Sequence, residues 1–152
     1  LSKNMGLYRE RTGLAIFVGP DARTAEATVS QAKVAARRIY SMPPAHGALV
    51  AGRVLTDSEL RADWEAELGD MCARINRLRT EFQRRLESAT GRDFGFIARE
   101  NGMFSFLGLT VEQARQLRAE RSLYMLDSSR INVASLNAHN MDRVVDAVTS
   151  VL

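Results

Sequence analysis

Lys3 and Lys33 are the only lysines among 21 basic residues; every other one is arginine. Where a positive charge alone is needed, this chain uses arginine. A guanidinium stays protonated and cannot become a nucleophile. A lysine that loses its proton can, and it then forms an imine with a carbonyl carbon. Lys3 lies in a polar segment punctuated by Gly6 and Gly13, with Arg11 a short distance downstream. The guanidinium of Arg11 offers two parallel donors that match a phosphate. An amine for an aldehyde and a fork for a phosphate are what pyridoxal phosphate asks of a protein.

The elements that must position these groups follow from periodicity. Residues 14–18, Leu-Ala-Ile-Phe-Val, form a short apolar run that reads as a buried strand. Asp21 is an N-cap for a helix over residues 24–40, in which Ala25, Ala32 and Ala36 allow close approach to a neighbour. Pro43 and Pro44 stop it. A short, tightly packed helix is expected over 45–55, and a capping box with Thr56 as cap and Glu59 reaching back opens the longest element. Leu60, Trp64, Leu68, Met71, Ile75, Leu78, Phe82 and Leu86 then recur every three or four residues, which predicts one helix over about 57–90 that Gly91 closes. At about 1.5 Å per residue such a helix reaches roughly 50 Å and bridges two lobes. Beyond it, 94–97, 103–107, 124–126 and 131–134 read as short strands, with a turn at Asn101-Gly102. Thr110 with Gln113 caps a helix, and Asn137 caps a last one carrying Met141, Val144, Val145, Val148 and Val151. The reading is α/β, with a first lobe over 1–70 and a compact α+β lobe over 71–152.

Composition narrows the function classes. The chain has 152 residues, 45% hydrophobic and 26% charged, as in ordinary globular proteins. No apolar run is long enough for a membrane span. One cysteine, Cys72, rules out an internal disulfide and fits a reducing cytoplasm; along the long helix it reads as a packing residue. The net charge of +3 arises from arginines scattered among 18 acidic residues, so a nucleic-acid face is not expected. His46 and His139 lack metal-ligand spacing and read as structural, and no metal site is expected.

The run from Ser2 to Gly13, Ser-Lys-Asn-Met-Gly-Leu-Tyr-Arg-Glu-Arg-Thr-Gly, resembles the cofactor-lysine segment of the class I aminotransferases, in their aspartate and aromatic amino acid branch. Three later stretches resemble the same family in the same order. They are Arg37 with Tyr40-Ser41-Met42-Pro43-Pro44-Ala45-His46-Gly47, then Asn101-Gly102-Met103-Phe104-Ser105-Phe106, then Ser128-Ser129-Arg130-Ile131-Asn132. The resemblance implies that residues 1–70 are the C-terminal end of the large domain that binds pyridoxal phosphate, and 71–152 the small domain. It implies Lys3 as the residue that holds the cofactor as an imine and shuttles the substrate proton, and Arg11 as a phosphate ligand. Arg130 would bind the substrate α-carboxylate. Arg37 would bind a side-chain carboxylate across a homodimer interface, and Phe104 would border the substrate. Read from spacing alone, Arg37 is a surface cation, and Phe104 shares a strand face with Phe106 as core packing. Ser129 replaces the family's glycine, so a positive φ there would strain it.

The implied activity is transfer of an amino group between an aspartate, glutamate or aromatic amino acid and a 2-oxo acid. The resemblance spans only the C-terminal part of the family pattern. The acid that pairs with the pyridine nitrogen falls outside it, so the isolated chain is expected to be inactive. A non-catalytic remnant that only packs or dimerises is the alternative.

Overall fold

Asp21 starts the first helix with its backbone extended and its carboxylate accepting the Thr24 N–H at 2.7 Å. That bond holds the Asp21 carboxyl below its ordinary value. The helix, α1, runs Ala22–Tyr40 in the computed structural model, which describes residues Leu1–Leu152. Ala25, Ala32 and Ala36 are its half-buried positions, as their size predicts. Ser41, at φ 58, ends it before the two prolines. α2 follows over His46–Thr56 and buries Gly47 and Ala51.

The junction to the next helix differs from expectation. Thr56 is the last residue of α2 and donates its hydroxyl to the Gly52 carbonyl at 2.8 Å. Asp57 does the capping, accepting from the Glu59 and Leu60 N–H groups at 3.1 and 3.2 Å. A carboxylate one residue nearer the helix reaches these amides, and the threonine is already committed backward. α3 then spans Ser58–Thr90, 33 residues, and closes at Gly91 with φ +69.

The chain divides into two compact units, Leu1–Leu68 and Gly69–Leu152. In the first, residues 14–18 are not a strand. Leu14, Ile16 and Val18 are 86%, 77% and 94% exposed. The sequence pattern suits a strand, but the only sheet is a pair elsewhere in the chain. A lone strand has nothing with which to pair its backbone groups.

The second unit holds the hydrophobic core. Phe82 and Leu86 of α3 meet Phe94, Ile97, Leu107, Leu117, Val133, Val144 and Val148 there. The apolar stripe of α3 is therefore buried only in its C-terminal part; Met71 is exposed, and so is Cys72, which does not pack as expected. Residues 94–97 form a helical turn, α4 over Gly95–Arg99, instead of a strand. Phe94 and Ile97, three apart, bury the same side, and Asp93 accepts from the Gly95 N–H at 2.7 Å. β1, Phe104–Phe106, pairs antiparallel with β2, Arg130–Asn132, with Phe104 opposite Asn132 and Phe106 opposite Arg130. Between them α5, Val111–Arg121, carries the Thr110–Gln113 capping box in full.

Residues 124–126 are irregular, with Tyr124 and Leu126 exposed. The Met125 carbonyl is taken by the Arg118 guanidinium at 2.7 Å, so a side chain replaces the expected ladder. β2 ends in a single 3-10 turn over Val133–Ser135, and α6 covers Met141–Thr149. Asn140, not Asn137, is the N-cap of α6, and it makes no side-chain capping bond. The Asn137 carboxamide is taken up in the preceding turn, accepting from the His139 and Asn140 N–H groups at 2.9 and 3.1 Å. No helix is long and apolar enough to cross a membrane.

Candidate active site

In the first unit, residues 1–13 form a turn-rich loop whose ends meet. The Leu1 nitrogen donates to the Thr12 carbonyl at 2.6 Å. Gly6, at φ +66, and Arg11, at φ 51, are both left-handed. For a non-glycine residue that conformation costs on the order of 1–2 kcal/mol, and such strain collects at functional sites. Two helices anchor the loop. The Trp64 indole of α3 donates to the Asn4 carbonyl at 2.7 Å, next to Lys3. At the start of α2, His46 Nδ1 lies 3.1 Å from Glu10 Oε2. Gly47 is buried beside it, where a Cβ would fall 2.5 Å from the Glu10 Cβ. Only glycine lets α2 approach the loop this closely.

Tyr8 links two cations of the loop, Lys3 and Arg11, and no periodicity singles it out. The Lys3 ammonium lies over its ring, 4.3 Å from the centroid. The Arg11 guanidinium donates to its carbonyl at 3.1 Å. That contact uses one Nη1 donor, and the exposed guanidinium keeps its remaining donors for a ligand. The donor set, a primary amine and a guanidinium fork on one anchored loop, suits an aldehyde and a phosphate on the same small molecule. Arg37 projects from the last turn of α1, exposed, in the same unit.

The second unit brings Arg130 and Phe104 together. The Arg130 guanidinium carbon lies 4.8 Å from the Phe104 ring centroid. Phe104 and Phe106 face outward while Ser105, between them, is fully buried. Core packing is therefore not the role of this phenylalanine pair. Stacking on an aromatic face fixes the guanidinium plane and leaves its edge donors free.

Ser129, just before Arg130, is buried with φ 59. Its N–H donates to the Leu126 carbonyl at 2.9 Å and its carbonyl accepts from the Leu107 N–H at 3.1 Å. The tight turn requires the left-handed conformation, and serine adopts it under strain. Ser129→Gly is expected to raise unfolding stability by about 0.5–1 kcal/mol, the part of the left-handed penalty left after glycine's extra chain entropy. Urea unfolding measures it, and no gain would show the serine conformation to be unstrained. Asp127 braces the same turn: Arg118 first, and Arg115 second, hold its carboxyl below the ordinary value by hydrogen bonding.

One residue of this region was not expected at all. Arg79 of α3 is 1% exposed, and its guanidinium reaches the carbonyls of Ile97, Gly102 and Phe104. The signal was present, because Arg79 stands four after Ile75 and three before Phe82, on the apolar side of the helix.

Comparison with known proteins identifies the family of the chain. The family model for aminotransferase class I and II matches residues 1–148. The aspartate aminotransferase of Escherichia coli (strain K12) is 48% identical over 152 residues, covering 99% of this chain and 38% of that protein. The aromatic-amino-acid aminotransferase of Paracoccus denitrificans is 43% identical over 151 residues, with the same coverage. Among solved structures, an aromatic-amino-acid aminotransferase from Burkholderia pseudomallei, described as covalently bound to pyridoxal phosphate, superposes with a TM-score of 0.83 at 43% identity, over 99% of this chain and 38% of that one. The chain thus spans about 38% of the length of the relatives it matches. Matched along nearly its whole length, it belongs to the class I and II aminotransferases.

Proposed function

We propose that this chain is the cofactor-lysine and small-domain portion of a pyridoxal phosphate-dependent aminotransferase. The intact protein moves an amino group between an aspartate, glutamate or aromatic amino acid and a 2-oxo acid. The observation that carries this reading is the loop of residues 1–13, where Lys3 and Arg11 converge on Tyr8 in a segment anchored by α2 and α3. When bound, pyridoxal phosphate supplies the aldehyde and an electron-withdrawing ring. Lys3 would be the amine that holds it and the group that moves the proton at the substrate α-carbon. Arg11 binds the phosphate through its free donors. Arg130, its guanidinium carbon over the Phe104 ring, grips the substrate α-carboxylate, and Phe104 borders the substrate. Arg37 meets a side-chain carboxylate in the neighbouring site of a homodimer.

Residues 1–70 are read as the end of the large cofactor-binding domain and 71–152 as the small domain. The exposed apolar run at 14–18 supports the first assignment, since such a stretch calls for neighbouring strands to cover it. The free Cys72 thiol is compatible with a reducing cytoplasm. Borohydride reduction of the intact, cofactor-loaded protein, followed by digestion and mass spectrometry, tests the reading. The expected product carries the phosphopyridoxyl group on Lys3 and leaves Lys33 unmodified. An unmodified Lys3 would instead favour a chain that packs without catalysing.

A further inference from the structure

The strand that presents Arg130 has only one neighbour. β2 pairs with β1, and β1 pairs with no other strand. The Met103 carbonyl accepts from the Val133 N–H at 2.8 Å, and the Leu107 N–H donates to the Ser129 carbonyl at 3.1 Å. By the alternation of a strand, residues 103 and 107 face β2 and the backbone groups of 102, 104 and 106 face the opposite edge. That edge is not empty. Arg79 donates to the Gly102 carbonyl at 2.8 Å and to the Phe104 carbonyl at 2.5 Å. Glu100 accepts from the Phe106 N–H at 3.4 Å, and its other oxygen takes the Ser105 hydroxyl. Arg79 and Glu100 meet each other at 3.3 Å. Two side chains occupy the edge where a third strand would stand.

We propose that Arg79 and Glu100 are positioning residues for Arg130. They lock β1 from its free edge, and β1 fixes both β2, which carries Arg130, and Phe104, on which the guanidinium stacks. This rests on Arg130 being the carboxylate-binding residue. The burial of Arg79 supports a geometric purpose: its Nε has no partner, so the guanidinium is turned to serve the backbone carbonyls and not to satisfy all its own donors. Lysine at this position has a single ammonium point and cannot reach Ile97, Gly102 and Phe104 together.

The test uses the intact, cofactor-loaded enzyme with Arg79→Lys and Glu100→Gln, each alone and each combined with Arg130→Lys. Glu100 is partly exposed, so Glu100→Gln keeps the test decisive where the buried Arg79→Lys fails to fold. A positioning role predicts a roughly tenfold fall in kcat/KM from either substitution in the native background, mostly as a rise in KM. In the Arg130→Lys background the same substitution should change kcat/KM less than about twofold, because the group it aligns is gone. Equal losses in both backgrounds, or loss of melting temperature with KM unmoved, would overturn the proposal. An Arg130→Lys enzyme with unchanged kcat/KM would overturn it differently, by removing the reading of Arg130 itself.

Discussion

Replacing Lys3 by arginine in the intact protein is expected to slow the half-reaction with an amino acid at least about 1,000-fold, roughly 4 kcal/mol of barrier. Arginine keeps the positive charge, most of the aliphatic stem and the means to lie over Tyr8. What it lacks is a conjugate base at accessible pH. The substitution therefore separates charge from proton transfer. If Lys3 served only to hold a positive charge over the Tyr8 ring, arginine would replace it with little loss. Lys33 provides the internal control. It is exposed on α1, and Lys33→Arg should leave the rate within about twofold, as expected for a solvent-facing substitution. Single-turnover absorbance of the bound cofactor reads both variants without interference from product release. Retention of a tenth or more of the native rate by Lys3→Arg would sink the assignment of Lys3 as the working amine.

The parts of this fold legible in the sequence are those fixed by local chemistry. Asp21 caps α1 and Thr110 with Gln113 caps α5 because a short polar side chain three residues from an amide needs no distant partner. α3 is legible from its stripe, since 33 residues of helical period leave no competing reading. Ser129 was legible in a different way: the family pattern has glycine there, and the structure shows φ 59. Strands are less legible, for one physical reason. An apolar run of four or five residues becomes a strand only if another strand lies beside it, and that is not written in the run itself. Residues 14–18 lack the neighbour, 94–97 bury one helical side instead, and the 124–126 backbone is tied through the Arg118 guanidinium.

The site shows the same division. Lys3, Arg11, Arg37, Phe104 and Arg130 were named by motif, which fixes residue type and order. How Tyr8 joins Lys3 to Arg11, and how Arg79 and Glu100 brace β1, depends on contacts that only the fold creates. Arg79 also shows how a charged letter conceals a core position. It sits on the buried side of α3 because three backbone carbonyls and Glu100 receive its guanidinium. A buried cation matched in this way is tolerated, whereas one left unpaired costs several kcal/mol.

The two arginines proposed to bind substrate can be separated by the carboxylates each would meet. Every amino acid has an α-carboxylate, so Arg130→Lys should penalise all substrates alike. Two parallel hydrogen bonds to a charged group are replaced by a single point contact, and each such bond is worth about 1.5–3 kcal/mol. A net loss of about 3 kcal/mol corresponds to a fall in kcat/KM of roughly 100-fold or more for both aspartate and phenylalanine. Lysine also loses the planar guanidinium that lies over Phe104, so charge conservation does not protect the site. Arg37→Ala should behave differently. Only aspartate and glutamate carry a second carboxylate, so kcat/KM for aspartate should fall about 100-fold while that for phenylalanine stays within a few-fold. The ratio of the two substrates is the informative quantity, because a general folding defect lowers both rates and leaves the ratio unchanged. Arg130→Lys should preserve the aspartate to phenylalanine ratio, and Arg37→Ala should collapse it. Were Arg130→Lys to penalise aspartate alone, the α-carboxylate would have to be held elsewhere, and the stacked guanidinium of β2 would belong to the side-chain end of the substrate.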